Sequence, residues 1–251
     1  MYGRIVHLEP VHWVNDWPMV GEVLDGDGIG EPVARHLKPR VAKSYPMYEP
    51  QTHDEFDSSR LGEQWQWESN PDSSWFSCAK RPGWLRLYSQ ALSGGNTNLW
   101  NAGWIIGQKI PAPSLLVTTK IDADSLSQRS VAGLVVLGLD YSFIAIKKTE
   151  IGFQIRQSVH PDAENAQSKT DSVESRIAGG KGYLQLEVKD TGLCRFRYSL
   201  DGLKFIEVGK EFRAKAGKWV GARIGLFSER SNDSVRPGFA DFDWIHFAPL
   251  K

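Results

Sequence analysis

Apolar and polar positions alternate with period two through much of this chain, and the runs that alternate are short. Trp84-Leu85-Arg86-Leu87-Tyr88, Leu115 to Ile121 and Tyr183 to Lys189 are rich in β-branched or aromatic residues, and clusters of Gly, Pro, Asn or Asp separate them. That pattern predicts antiparallel strands and almost no helix. A hairpin is expected where Leu193 to Leu200 meets Asp201-Gly202 and then Lys204 to Val208, because Asp-Gly readily takes the positive φ values of a tight turn. Val131 to Leu139 and Tyr141 to Lys147 form a second pair around Gly138-Leu139-Asp140, the first apolar enough for a central strand buried on both faces. About a dozen strands over residues 52 to 248 predict an all-β fold, a jelly-roll β-sandwich of two antiparallel sheets.

Punctuation in the pattern divides the chain. Three prolines between Pro39 and Pro50 prevent a ladder or a helix, so residues 39–50 are expected to be an extended linker. Residues 1–38 then form a short appendage and residues 51–251 the sandwich. The polar stretch His160 to Glu174 lacks periodicity and is expected to be a long surface loop.

Composition narrows the function classes. Of 251 residues, 41% are hydrophobic and 24% charged, enough for one substantial core. Thirty basic and thirty acidic residues cancel, so no whole-chain field draws nucleic acid or an anionic membrane. No apolar run has the length of a membrane span, and residues 1–25 lack the layout of a secretion signal. Localisation beyond that stays open. Cys78 and Cys194 lack metal-ligand spacing and are either two buried thiols or one disulfide. The six histidines never adopt metal-ligand spacing, and neither a Gly-x-Ser-x-Gly elbow nor a phosphate loop is present.

Two sets of side chains carry candidate chemistry. The chain has ten tryptophans, and Trp65, Trp67, Trp75, Trp100 and Trp104 cluster beside Asn, Ser, Gly or Pro. Flat indoles stack on the C–H faces of pyranose rings while nearby amides bond the hydroxyls, which makes Trp67, Trp75, Trp100, Trp104, Asn98 and Asn101 candidate sugar contacts. Core packing is the competing reading, strongest for Trp65 and Trp67, which would share one face of a strand. Trp100 differs, standing at the end of the polar, Gly-rich stretch Ser93 to Asn101. The second set is carboxylic. Glu55 with Asp57, and Asp241 with Asp243, are i, i+2 pairs near the first and last strands, and could meet to bind a structural calcium ion or stand as solvated strand ends. Asp25 to Glu31 resembles half of a calcium loop, but its later ligand positions are out of register, and it reads as a glycine turn.

Several of these segments together resemble glycoside hydrolase family 43, the β-xylosidases and α-L-arabinofuranosidases. Gly3-Arg4-Ile5-Val6-His7-Leu8-Glu9-Pro10-Val11-His12-Trp13, Asp16-Trp17-Pro18 and Gly30-Glu31-Pro32-Val33 resemble the last strands of that family's five-bladed propeller. Asp54-Glu55-Phe56-Asp57, Gln64-Trp65-Gln66-Trp67, Arg81-Pro82-Gly83-Trp84-Leu85-Arg86-Leu87, Tyr198-Ser199-Leu200-Asp201-Gly202 and Asp241-Phe242-Asp243-Trp244 resemble the concanavalin-like sandwich that follows it. The resemblance implies that the catalytic carboxylates sit on earlier blades, which would lie before Met1, so no catalytic residue is carried onto this chain. It also implies that Trp100 reaches toward the propeller pocket.

Three readings follow. The first is an accessory sandwich working with a family 43 propeller catalytic domain on xylan or arabinoxylan oligosaccharides, its host a bacterial enzyme of cytoplasm, periplasm or exterior. The second is an autonomous carbohydrate-binding module. The third is a small glycosidase using sandwich carboxylates such as Glu55 and Asp243. The N-terminal segment, with unpaired strand edges, is expected to lie against the sandwich or to pair with another copy in a homo-oligomer.

Overall fold

The computed structural model describes residues 1–4, 6–92, 98–111, 113–165, 171–231 and 237–250. In chain order its strands are β1 (Val11–Val14), β2 (Trp17–Val20), β3 (Gln66–Trp67), β4 (Phe76–Ser77), β5 (Leu85–Tyr88), β6 (Ile106–Lys109), β7 (Leu115–Asp122) and β8 (Val131–Leu137). They continue as β9 (Tyr141–Thr149), β10 (Gly152–His160), β11 (Asp171–Ile177), β12 (Lys181–Val188), β13 (Leu193–Ser199), β14 (Ile206–Arg213), β15 (Arg223–Glu229) and β16 (Phe239–Pro249). β3 to β16 form two antiparallel sheets of seven strands. Sheet I has the order β11-β10-β9-β8-β15-β6-β3, and sheet II the order β14-β13-β12-β7-β16-β5-β4.

Alternation decides what lies between the sheets. β7 buries Leu115, Val117, Thr119 and Ile121 and turns Leu116, Thr118, Lys120 and Asp122 outward. From sheet I, Ala132, Leu134 and Val136 of β8 and Ile144 and Ile146 of β9 enter the same core, joined by Trp65, Leu186, Phe196, Phe242 and Ile245. β8 is buried along its whole length, as its unbroken apolar run predicts. Its partner approaches so closely at Gly133 that a Cβ there would lie 2.1 Å from the Ile144 carbonyl oxygen. Cys78 and Cys194 are free thiols in this core, pushed up by burial to about 11 and about 12.

Two local expectations change. β10 runs through His160, and β11 pairs back along it from Val159↔Asp171 to Phe153↔Ile177, so residues 160–174 are not one loop. β11 is a sheet edge with Glu174, Ser175 and Arg176 exposed, which is why it carries no apolar period. The β13–β14 hairpin forms, but its turn is wider than two residues, since Tyr198 is opposite Ile206. The Asp201 carboxylate, held down at about 2, accepts from the Lys204 and Leu203 N–H groups and the Ser199 hydroxyl, and these bonds build the loop around it.

The chain divides into two units: Met1–Gly3 with Pro50–Lys251, and Arg4–Glu49. The first three residues thus go with the sandwich, where Met1 accepts a bond from the Ala222 N–H at 2.8 Å. In the second unit, Asn15 and Asp16 both take positive φ and close the β1–β2 hairpin with Val14 opposite Trp17. Glu22 and Glu31 exchange backbone bonds around a turn in which Gly26 and Gly28 have φ of +70° and +79°, the glycine turn expected there. Trp13 and Trp17 stand 72% and 70% exposed on this two-stranded sheet.

Candidate functional site

The outer face of sheet I is covered by the chain itself. Leu92, Leu99, Ala102, Trp104 and Ile105 pack on Val131, Val135, Leu137, Tyr141, Phe143, Ala145 and Phe227, the outward residues of β8, β9 and β15. The cover is pinned by a 3-10 turn, Leu99–Asn101. Asn98 caps it: its Oδ1 accepts from the Trp100 N–H at 3.0 Å, and its Nδ2 donates to the Ala163 carbonyl at 2.6 Å. The Tyr141 hydroxyl accepts from the Leu99 N–H at 3.1 Å.

The predicted sugar contacts fall into this frame unevenly. Trp104 is buried, Trp75 and Trp100 are half-buried against the same cluster, and Asn101 is exposed. Trp67 packs on the core between the sheets, with its ring centroid 5.6 Å from Trp75 and 5.0 Å from Phe76. Trp65 is buried and donates from Nε1 to Asp54 Oδ2 at 2.6 Å. Trp75, Trp100, Trp104 and Asn98 therefore share one face of the sandwich, while Trp65 and Trp67 serve its core. The Gly-rich part of the Trp100 stretch, residues 93–97, lies outside the described residues.

Beside this cover runs a polar row that single-sequence reading did not single out. His160 stacks on Tyr141 with centroids 4.2 Å apart, Ser158 lies 3.0 Å from His160 Nε2, and the Arg156 guanidinium sits 5.8 Å from the Phe143 ring. Burial pushes His160 down to about 4, with Arg156 adding to the effect. Burial pushes the Glu229 carboxyl up to about 7 although Arg156 opposes it. The sequence signal was available: Tyr141 and Phe143, Arg156, Ser158 and His160, and Phe227 and Glu229 occupy alternate positions on neighbouring strands.

Sheet II presents the other face, and here the four predicted calcium ligands separate. Asp241 is almost completely buried and accepts from Arg86 Nε at 2.8 Å, Arg86 Nη2 at 3.0 Å and Arg81 Nη1 at 3.1 Å. Asp243 bonds Lys120 Nζ at 2.6 Å, Glu55 bonds His246 Nε2 at 2.5 Å, and Asp57 is exposed. Neither i, i+2 pair keeps regular strand geometry. Phe56, between Glu55 and Asp57, has φ of +53°, and a bulge shifts the β16–β7 register between Phe242 and Trp244. Asp241 and Asp243 are held by separate cations and Glu55 by His246, so the four candidates are not gathered on one point, and no cluster of three or more ligating side chains occurs among the described residues.

Comparison with known proteins agrees with this architecture. Residues 53–248 match the model of the β-xylosidase C-terminal concanavalin A-like domain. The chain is 32% identical over 98% of its length to a β-xylosidase of Formosa agariphila, covering 43% of that protein. It is 28% identical over 99% of its length to a non-reducing end α-L-arabinofuranosidase of Bacteroides ovatus, covering 45% of it. A crystal structure of a family 43 protein from Bacillus licheniformis superposes with a TM-score of 0.76 at 22% identity, over 99% of this chain and 47% of the other. The chain spans less than half the length of these relatives. With two seven-stranded sheets around one core and a match from residue 53 to residue 248, the chain belongs to the family of concanavalin A-like domains of β-xylosidases.

Proposed function

We propose that this chain is the accessory part of a family 43 glycosidase acting on xylose- and arabinose-containing hemicellulose, and that it completes and shapes a propeller catalytic domain. One observation carries the reading: nearly the whole chain aligns with relatives more than twice its length, and the relatives are named as β-xylosidase and α-L-arabinofuranosidase. The Arg4–Glu49 unit supports it. A lone two-stranded sheet with Trp13 and Trp17 exposed has the form of blade strands that need neighbours. The turn carrying Asn98, Trp100 and Asn101 is the element offered to the catalytic pocket, because Asn98 and Tyr141 hold it in one conformation while Asn101 stays exposed. On this reading the hydrolytic carboxylates belong to the propeller.

Co-expression with the portion of the Formosa agariphila β-xylosidase that this chain does not match provides the test. Co-purification of the two parts, with hydrolysis of nitrophenyl xyloside or arabinofuranoside that neither gives alone, is the expected result. Trp100→Ala in the reconstituted enzyme should then lower kcat/KM. Hydrolysis by this chain alone, or failure of the parts to associate, would overturn the accessory reading.

A further inference from the structure

The outer face of sheet II contains a cleft of about 230 Å³ that the reading above does not use. Its aromatic walls are Trp84 and Tyr183, Leu200 forms the lip, and Arg81, Lys120, Asp122 and Lys181 line it between them. This volume falls below the ~300–1,000 Å³ of pockets for drug-sized ligands and suits one or two sugar rings.

The charges around the cleft select the ligand class. Arg81 bonds Asp122 at 3.0 Å and Asp241 at 3.1 Å, and Arg86 also holds Asp241. Lys120 bonds Asp243 at 2.6 Å, and Lys181 lies 3.3 Å from Asp122 and 3.5 Å from Asp124. Three cations and one carboxylate line the cleft, and Asp124, Asp241 and Asp243 with Arg86 complete the ion pairs behind them, so four cations face four carboxylates over the whole cluster and each lining cation is answered by a carboxylate. Donor capacity nevertheless remains. Each lysine ammonium has three N–H groups, and Arg81 bonds its carboxylates through Nη1 alone, so spare donors are held in place by their ion pairs. Among the described residues the Tyr183 hydroxyl and the Trp84 indole N–H have no hydrogen-bond partner.

The walls are rigid. Trp84 is fixed by the Arg81 guanidinium, 3.5 Å from its ring centroid, with Lys120 Nζ at 5.3 Å. Tyr183 is fixed by Gly202, which at φ of +76° presses its backbone against the ring so closely that a Cβ would lie 2.9 Å from Cζ. Trp244 flanks Tyr183 at 6.1 Å. Fixed aromatic walls, fixed donors, unengaged polar atoms and charge balance are the chemistry that recognises a neutral saccharide, hydroxyls on the donors and C–H edges on the rings.

We propose that this cleft binds one or two pyranose rings of a neutral oligosaccharide. The choice of xylose as the sugar rests on the function proposed above. Calorimetric titration of the whole chain with xylotriose, cellotriose and a uronic acid trisaccharide tests it. Saturable xylotriose binding is expected, weakened about tenfold in Tyr183→Ala. Leu200→Trp, which fills the mouth at a 48% exposed position and leaves both walls intact, should abolish it and decides the matter if Tyr183→Ala melts early. Cellotriose binding that replaces xylotriose binding would uphold the site and overturn the hemicellulose assignment. Binding of the uronic acid trisaccharide alone, of no saccharide, or equally by the wild type and the Leu200→Trp variant, would overturn the site.

Discussion

The two outer faces of the sandwich start from different sequence patterns, an unbroken apolar run in β8 and alternation in β7, and come to opposite ends. On sheet I, Leu92 and the stretch from Asn98 to Ile105 fold over the outward residues, so that β8 has no wet side and the titratable groups at the margin are desolvated. On sheet II no segment among the described residues covers the centre, and the outward positions of β5, β7, β12 and β16 hold Arg86, Lys120, Asp122, Lys181 and Asp241 in a paired lattice of charge. The contrast shows two ways to finish a sheet face. A covered face must neutralise its ionisable groups, and an open face can keep them charged provided each meets a partner.

The largest expected effect breaks the open face. Asp241→Ala leaves Arg81 and Arg86 without the carboxylate they share at an almost fully buried position, and should cost about 3 kcal/mol in urea unfolding. Arg81 also keeps Asp122, so the loss should fall chiefly on Arg86, and Arg86→Met in the Asp241→Ala background should recover part of it.

The next effect sharpens the covered face through pH. Glu229 has its folded pKa raised to about 7 from the ordinary carboxylate range, so its contribution is fully present near pH 4 and is lost as pH rises through 7. Glu229→Gln should therefore stabilise the chain by about 2 kcal/mol at pH 8 and leave it unchanged at pH 4, as melting curves at the two pH values will show. His160 has the opposite sign. With its folded pKa lowered to about 4, its contribution is present above the ordinary histidine range and is lost as pH falls toward 4. The smallest expected effect concerns the pin. Tyr141→Phe leaves the Leu99 N–H without its acceptor and should cost about 1 to 2 kcal/mol, with faster amide exchange confined to residues 98–102.

Much of the fold was legible. The alternation of Leu115 to Ile121, the unbroken apolar run from Val131, and the turn residues at Gly138-Leu139-Asp140 and Asp201-Gly202 all report local preferences, which a strand keeps wherever its sheet lies. The edge strand β11 was illegible for a physical reason: a strand exposed at the sheet margin has no buried face to impose a period. The candidate site was legible only in part. Trp75, Trp100, Trp104 and Asn98 do gather on one face, but a rich indole count could not separate Trp65 and Trp67, which fill the core, from aromatics at a surface. Asp241 and Asp243 looked like a ligand pair because the bulge at Phe242 and the approach of Arg81 and Arg86 depend on strands far away in sequence.

By itself the sequence determined the strand class, the inward residues, the turns and the family, since each rests on neighbours within a few residues or on matched segments in order. Tertiary structure alone decided which segment would cover the outward face of β8, which cation each carboxylate would meet, and that Trp84 and Tyr183 would wall one cleft. Those outcomes follow from pairing within and across the sheets, between residues such as Arg86 and Asp241 that stand 155 positions apart, which no local period specifies.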